Sequence, residues 1–284
     1  MTTLTGAHGL QLAADIGGPE DGPTVVLLHG GGQTRHSWHG TWRVLADAGW
    51  HAYSVDLRGH GDSAWPENGD YSHEAFAEDV LALAQQLPTP PVIVGASLGG
   101  LASMLAIGES AHPETVARAL VLVDVAHRIE DEGRDRIREF MTAHLDGFDT
   151  LDDAADTIHA YNPHRPRPTD LSGLQKNLRQ RDGRWYWHWD PRFMTGMFEG
   201  VDETRTRLVD PARLEAATKA LHLPVLLVRG RSSDLLSEEG ARAFLEIVPH
   251  AEFADVAGAG HMVAGDRNEI FNTAILDFLE RQRG

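Results

Sequence analysis

Ser97 is the residue whose neighbours best equip it to act as a nucleophile. It sits in Gly95-Ala96-Ser97-Leu98-Gly99, after the β-branched run Val92-Ile93-Val94 and before Leu101-Ala102-Ser103-Met104-Leu105-Ala106, whose composition favours a helix. A strand, a sharp turn and a helix in that order lift a serine Oγ above the edge of a sheet. Glycines two residues to either side keep side chains out of the crossing. The backbone N–H of Leu98 would then point from a helix N-terminus toward the place where an anion forms. A serine needs a base to take its proton, and His261, in Gly258-Ala259-Gly260-His261, is the candidate. Asp234, in the loop Arg229-Gly230-Arg231-Ser232-Ser233-Asp234, could hold that imidazole through its Nδ1–H and stabilise the imidazolium. Asp124 rivals it for the role, because it too ends an apolar strand. In His29-Gly30-Gly31-Gly32, the Gly31 N–H would join that of Leu98 in a two-donor oxyanion hole. The chemistry such a set of groups would perform is acyl transfer through a covalent serine ester.

The elements that must position these groups can be read from the same string. Thr24-Val25-Val26-Leu27-Leu28, His51 to Val55, Ala119-Leu120-Val121-Leu122-Val123 and Val225-Leu226-Leu227-Val228 are runs expected of strands covered on both faces. Leu10 to Ile16 and Ala251 to Val256 read as further strands. Helices are expected at about Trp42 to Ala48, from Ser72 to Leu87, after Ser237, and from Asp266 with Glu269 completing a capping box. Strands alternating with helices predict an α/β fold with a mostly parallel sheet, on which functional groups gather at the C-terminal strand ends. Between about His127 and Asp210 the texture changes to charge-rich helical patterns, a connector punctuated by Pro163, Pro166 and Pro168, and the cluster Trp185-Tyr186-Trp187-His188-Trp189. This predicts a core of residues 1–126 and 211–284 and an inserted helical cap at 127–210. Gly32, Trp187 and Trp189 are the substrate-binding candidates, with His188 facing away from the tryptophans. Arg35, His36 and Trp38 are candidates for the pocket border.

The pattern resembles the α/β-hydrolase fold superfamily over essentially the whole chain. Gly95-Ala96-Ser97-Leu98-Gly99 looks like its nucleophile elbow and His29-Gly30-Gly31 like its oxyanion loop. Asp56-Leu57-Arg58-Gly59-His60-Gly61-Asp62-Ser63 is similar to a structural loop common in that family. The resemblance implies eight strands, a Ser97–His261–Asp234 triad and a helical cap over the pocket. The oxyanion loop also looks like that of esterases and of carbon–carbon bond hydrolases acting on ring-cleavage products. Haloalkane dehalogenases and epoxide hydrolases of this fold use an aspartate where this chain has Ser97, which argues against both.

Composition narrows the classes. A net charge of −17 over 284 residues argues against nucleic acid and anionic membranes as partners. No cysteine is present, so neither disulfide nor thiolate chemistry is available. Met1 to Gly6 lacks a basic region followed by an apolar run, and no stretch approaches transmembrane length. A cytoplasmic location is expected. Of the sixteen histidines, His36, His39, His51 and His60 lack the spacing of a known metal site, and no His-Glu-x-x-His occurs. Neither metal nor other cofactor is expected. The partner expected is a small-molecule ester, with a homodimer left open. A carbon–carbon hydrolase using the same triad, and a small-molecule receptor on this scaffold, are the alternatives.

Overall fold

The apolar runs between glycine- and proline-bearing loops pair into one sheet. The computed structural model describes residues 1–163, 167–198, 210–256 and 269–283. In chain order the first strands are β1 (Thr2–Thr5), β2 (Gln11–Gly17) and β3 (Thr24–Leu28), followed by α1 (His39–Asp47), β4 (His51–Val55) and α2 (His73–Gln86). Next come β5 (Val92–Ala96), α3 (Leu98–Gly108), α4 (Pro113–Val116) and β6 (Ala119–Val123). An inserted segment follows, with α5 (Asp131–Thr142), α6 (Leu151–Tyr161), β7 (Leu178–Arg181), β8 (Arg184–Trp187) and α7 (Pro191–Phe198). The chain returns to the core with α8 (Pro211–Lys219), β9 (Val225–Gly230), α9 (Glu238–Ile247), β10 (Glu252–Val256) and α10 (Glu269–Glu280).

Eight strands form the sheet in the order β1-β2-β4-β3-β5-β6-β9-β10, with the β1–β2 and β2–β4 pairs antiparallel and the other pairs parallel, so that β2 alone runs against the rest. Strands β3, β5 and β6 are buried along their whole length. Alternation sends successive residues to opposite faces. Val25, Leu27, Val92 and Val94 pack with Trp38, Trp50, Phe271 and Phe278 under α1 and α10. Leu28, Ile93, Leu120 and Leu122 pack with Phe76, Met104, Leu214 and Phe244 under α2, α3, α8 and α9. Trp38 is therefore a core residue rather than a pocket border. Ser72 and Ser237 cap α2 and α9, accepting from the N–H groups of Ala75 and Gly240 at 3.2 and 2.9 Å.

The insertion is not wholly helical. Its Trp185-Tyr186-Trp187 run forms a hairpin, with Leu178 opposite Trp187 and Arg181 opposite Arg184. Asp182 and Gly183, at φ of 51° and 81°, make the turn, as Asp-Gly between strand-forming residues favours. Strand β1 is also additional to the sequence expectation; its threonines pair with β2 at the sheet edge. The expected helix start at Asp266 lies outside the described residues.

The loop after β4 is a polar knot. Asp56 is fully buried, accepts the N–H groups of Arg35 and Asp62 at 2.6 and 2.9 Å, and is paired with the Arg35 guanidinium. Arg35 thus belongs to this knot and does not border the pocket. Arg58 bonds Asp79 through two nitrogens at 2.6 and 2.7 Å, both side chains being buried. Removing one member leaves the other charge buried and unpaired. Asp79→Ala is expected to cost about 3–5 kcal/mol of unfolding free energy by urea denaturation. A loss under about 1 kcal/mol would show the pair to be solvated.

Candidate active site

Ser97 follows β5 directly and stands at φ 45°, ψ −113°, a strained conformation for a serine. The crossing around it is tight. A Cβ at Gly95 would lie 2.6 Å from the Gly100 nitrogen, and one at Gly99 would lie 2.6 Å from the Leu28 carbonyl oxygen. Only glycine fits at either position. The Ser97 N–H donates to the Val123 carbonyl at 3.2 Å, which ties the elbow to the end of β6.

The loop Gly30–Gly32 lies beside the elbow. A Cβ placed on Gly30 would come within 3.3 Å of the Ser97 Cβ, and the Gly99 N–H donates to the His29 carbonyl at 3.2 Å. The Gly30 N–H donates to the Gln33 side-chain carbonyl at 3.0 Å, and that of Gly32 to His60 Nε2 at 3.1 Å. Between them, the Gly31 N–H has no hydrogen-bond acceptor among the described residues, and neither has the Leu98 N–H at the start of α3. Two unspent backbone donors beside a serine elbow can stabilise an oxyanion.

Three buried histidines brace this loop. Backbone donors assign their tautomers, since an N–H can meet only an unprotonated ring nitrogen. His29 Nε2 accepts from Leu57 at 3.0 Å while its Nδ1–H donates to the Gly30 carbonyl at 2.8 Å. His60 Nδ1–H donates to the Arg58 carbonyl at 2.8 Å. His188 Nδ1 accepts from Gly61 at 2.7 Å and its Nε2–H donates to the Gly32 carbonyl at 3.3 Å. Burial lowers His29 to a pKa of about 4, with the Arg35 charge adding to the effect. Burial and the neighbouring His29 lower His60 to about 3, and burial holds His188 well below 6.5. The unfolded chain binds these protons near pH 6.5, and the folded chain takes them only near pH 4 and below. Stability is therefore complete above pH 6.5 and falls as the pH drops through that interval. The urea midpoint is expected to be lower at pH 5 than at pH 7, with a shallower drop in His60→Gln. A midpoint unchanged between those pH values would contradict neutral burial.

Two carboxylates compete for the acid position. Asp124 follows β6 at φ 53° and is fully buried. Its Oδ1 accepts from the Gly230 N–H at 3.0 Å and its Oδ2 from the Ser233 hydroxyl at 2.5 Å. Its own N–H donates to the Val228 carbonyl at 2.7 Å. Asp234 is turned outward instead. Its side chain is 32% exposed and accepts from Arg136 of α5 at 2.8 Å. His261 lies outside the described residues, in the segment that follows β10.

The insertion sets apolar groups against Gly31 and Gly32. A Cβ at Gly31 would lie 3.6 Å from Phe193 of α7, and one at Gly32 would lie 3.0 Å from Met141 of α5 and 3.5 Å from Trp189. Trp187 and Trp189 are stacked at 4.7 Å and 12°, and both are buried. They form one wall of a groove of about 320 Å³ that Trp65, Tyr186, Arg179 and Arg181 also line. Gly32, expected to touch substrate, has both backbone polar groups bonded to histidines. Sequence reasoning missed the bracing roles of His60 and His188. The only available signal was the alternation that turned His188 away from its tryptophan neighbours. Among the described residues, no cluster of three or more histidine and carboxylate side chains could hold a metal ion, and no helix is long and apolar enough to cross a membrane.

The sequence profile of the alpha/beta hydrolase family matches residues 25–274. An esterase of Mycobacterium tuberculosis is 32% identical over 253 residues, covering 86% of this chain and 78% of the relative. The 2-(acetamidomethylene)succinate hydrolase of Mesorhizobium japonicum is 28% identical over 260 residues, covering 91% of this chain and 88% of its own. Among solved structures, an E-2-(acetamidomethylene)succinate hydrolase superposes with a TM-score of 0.84 at 25% identity, covering 98% of each chain. A Mycobacterium tuberculosis esterase superposes at 0.72 and 29% identity, covering 98% of this chain and 90% of that one.

Proposed function

Because this chain belongs to the alpha/beta hydrolase family and has an esterase among its relatives, we propose that it is a serine hydrolase of carboxylic esters with small to medium apolar acyl or alcohol groups. The observation that carries this reading is the pair of unspent donors, Gly31 and Leu98 N–H, beside the Ser97 elbow. Ser97 Oγ attacks the ester carbonyl while His261 takes its proton. The tetrahedral oxyanion is held by the two N–H groups. Collapse expels the alkoxide, which leaves as the alcohol with the proton from His261, and an acyl-enzyme remains on Ser97. Water then attacks the acyl carbonyl, giving its proton to His261. Collapse of the second intermediate releases the carboxylic acid and returns the proton to Ser97.

The acid that orients His261 is Asp124 rather than Asp234. In its favour are complete burial, two donors that fix its carboxylate, and a position next to the strand end to which the Ser97 N–H is bonded. Asp234 is spent on an exposed ion pair with Arg136. The apolar preference is supported by Met141, Phe193 and Trp189, which pack over the oxyanion loop.

Stopped-flow hydrolysis of p-nitrophenyl butyrate tests the assignment. A burst of nitrophenolate followed by steady turnover is expected. No release from short-chain esters, together with cleavage of a ring-cleavage dienoate, would replace it with the carbon–carbon hydrolase reading. Binding of either compound with no product from it would replace it with a receptor.

A further inference from the structure

The oxyanion loop is held from two directions, and one of them is the insertion. The Gly31 N–H shares a planar peptide with the Gly30 carbonyl, so bonds to that carbonyl aim the N–H. His29 Nδ1–H and the Gln33 N–H supply these bonds, at 2.8 and 3.1 Å, both from the core. On the other side of Gly31 the next residue is clamped by two imidazoles. Gly32, at φ 71°, gives its N–H to His60 and takes the Nε2–H of His188 on its carbonyl. His60 is anchored in the core by its bond to the Arg58 carbonyl. His188 lies in the insertion, one residue after β8, 156 positions along the chain from Gly32.

His188 is itself fixed within a seam between insertion and core. Its Nδ1 accepts the Gly61 N–H at 2.7 Å, and two residues on the Asp190 N–H donates to the Gly59 carbonyl at 2.9 Å. The Asp190 carboxylate accepts the Tyr71 hydroxyl at 2.7 Å. With only 2% of His188 exposed, no water competes for its two bonds. A glycine at positive φ has little steric resistance to rotation, so its neighbours' orientation rests on the bonds made to it.

We propose that His188 is a positioning residue for the oxyanion hole: the core bonds to the Gly30 carbonyl aim the Gly31 N–H, and His188, by holding the Gly32 carbonyl from the insertion, fixes the loop on the far side of Gly31. This N–H therefore stays in place only while the insertion is seated on the core. The inference rests on the oxyanion role proposed above for Gly31. It makes transition-state stabilisation, rather than substrate binding, sensitive to how the insertion is docked. A displacement of about 1 Å at such a donor is enough to cost up to a hundredfold in rate.

Three variants and one covalent probe test it. Gln at position 188 presents an amide N–H near the place of Nε2 and can still donate to Gly32. Asn presents an amide oxygen near the place of Nδ1 and keeps the acceptor for Gly61 without reaching Gly32. His188→Ala is expected to lower kcat for p-nitrophenyl butyrate by about ten- to a hundredfold, with KM changed less than about threefold. His188→Gln should recover kcat to within a few-fold of wild type, and His188→Asn should not. If His188→Ala does not fold, the Gln and Asn variants carry the comparison between them. Equal kcat in these two, or losses that track melting temperature alone, would reduce His188 to packing and overturn the inference. A fluorophosphonate separates this failure from that of the parent reading. Wild type that labels on Ser97 while the variants show no kcat difference overturns only the positioning role. Wild type that neither labels nor turns over overturns the hydrolase assignment and the positioning role with it.

Discussion

Ser97→Ala is expected to fold as wild type does and to lose ester turnover by about 10⁵-fold or more, the scale seen when the nucleophile of a serine triad is removed. The fold should survive because the substitution removes one atom from a partly exposed residue whose side chain makes no hydrogen bond among the described residues. The backbone strain at φ 45° is retained rather than relieved, because Gly95 and Gly99 and the Ser97–Val123 bond hold the elbow from outside. Activity should vanish because the oxyanion donors then have no covalent intermediate to stabilise. What remains is the residual catalysis that binding and the donors give to attack by water. Melting temperature and kcat/KM measured on the same preparation decide it. Activity within tenfold of wild type would remove Ser97 from the mechanism.

The second large effect separates the two carboxylates. Asp124→Asn is expected to lower kcat by about 10⁴-fold, since an amide in place of the acid leaves the histidine in the wrong tautomer for proton abstraction. Asp234→Asn should change kcat less than about threefold and stability by under about 1 kcal/mol, because it removes a partly exposed ion pair to Arg136. The two substitutions are equally conservative in shape, so the contrast reads chemical role rather than packing. A reversed ranking would return the acid role to Asp234 and leave Asp124 as the closing residue of β6.

The strands that carry this site were legible for a definite reason. β3, β5, β6 and β9 are covered on both faces, so each reads as an unbroken apolar run that ends where its loop must turn. The elbow was equally plain, because close approach to backbone restricts Gly95 and Gly99 to glycine and the restriction shows in the string; in the Gly30–Gly32 loop it is the positive φ of Gly32 that calls for glycine. The hairpin was less visible. Its Asp182-Gly183 turn was present, but Arg179, Arg181 and Arg184 break the apolar alternation that would have flagged two strands. The choice between Asp124 and Asp234 was beyond sequence, since both follow strands and only tertiary structure decides which carboxylate turns inward. His188 was hidden for the same reason. Its partners lie 127 and 156 positions away, and nothing local records them.

The most direct measurement is the intact mass of the protein quenched during steady hydrolysis of p-nitrophenyl butyrate, followed by peptide mapping. A species heavier than the free protein by one butyryl group is expected, with the group on the peptide that contains Ser97 and absent from Ser97→Ala. Sustained nitrophenolate release from pure protein with no acylated species, or with the acyl group mapped to another residue, would contradict an acyl-enzyme on Ser97.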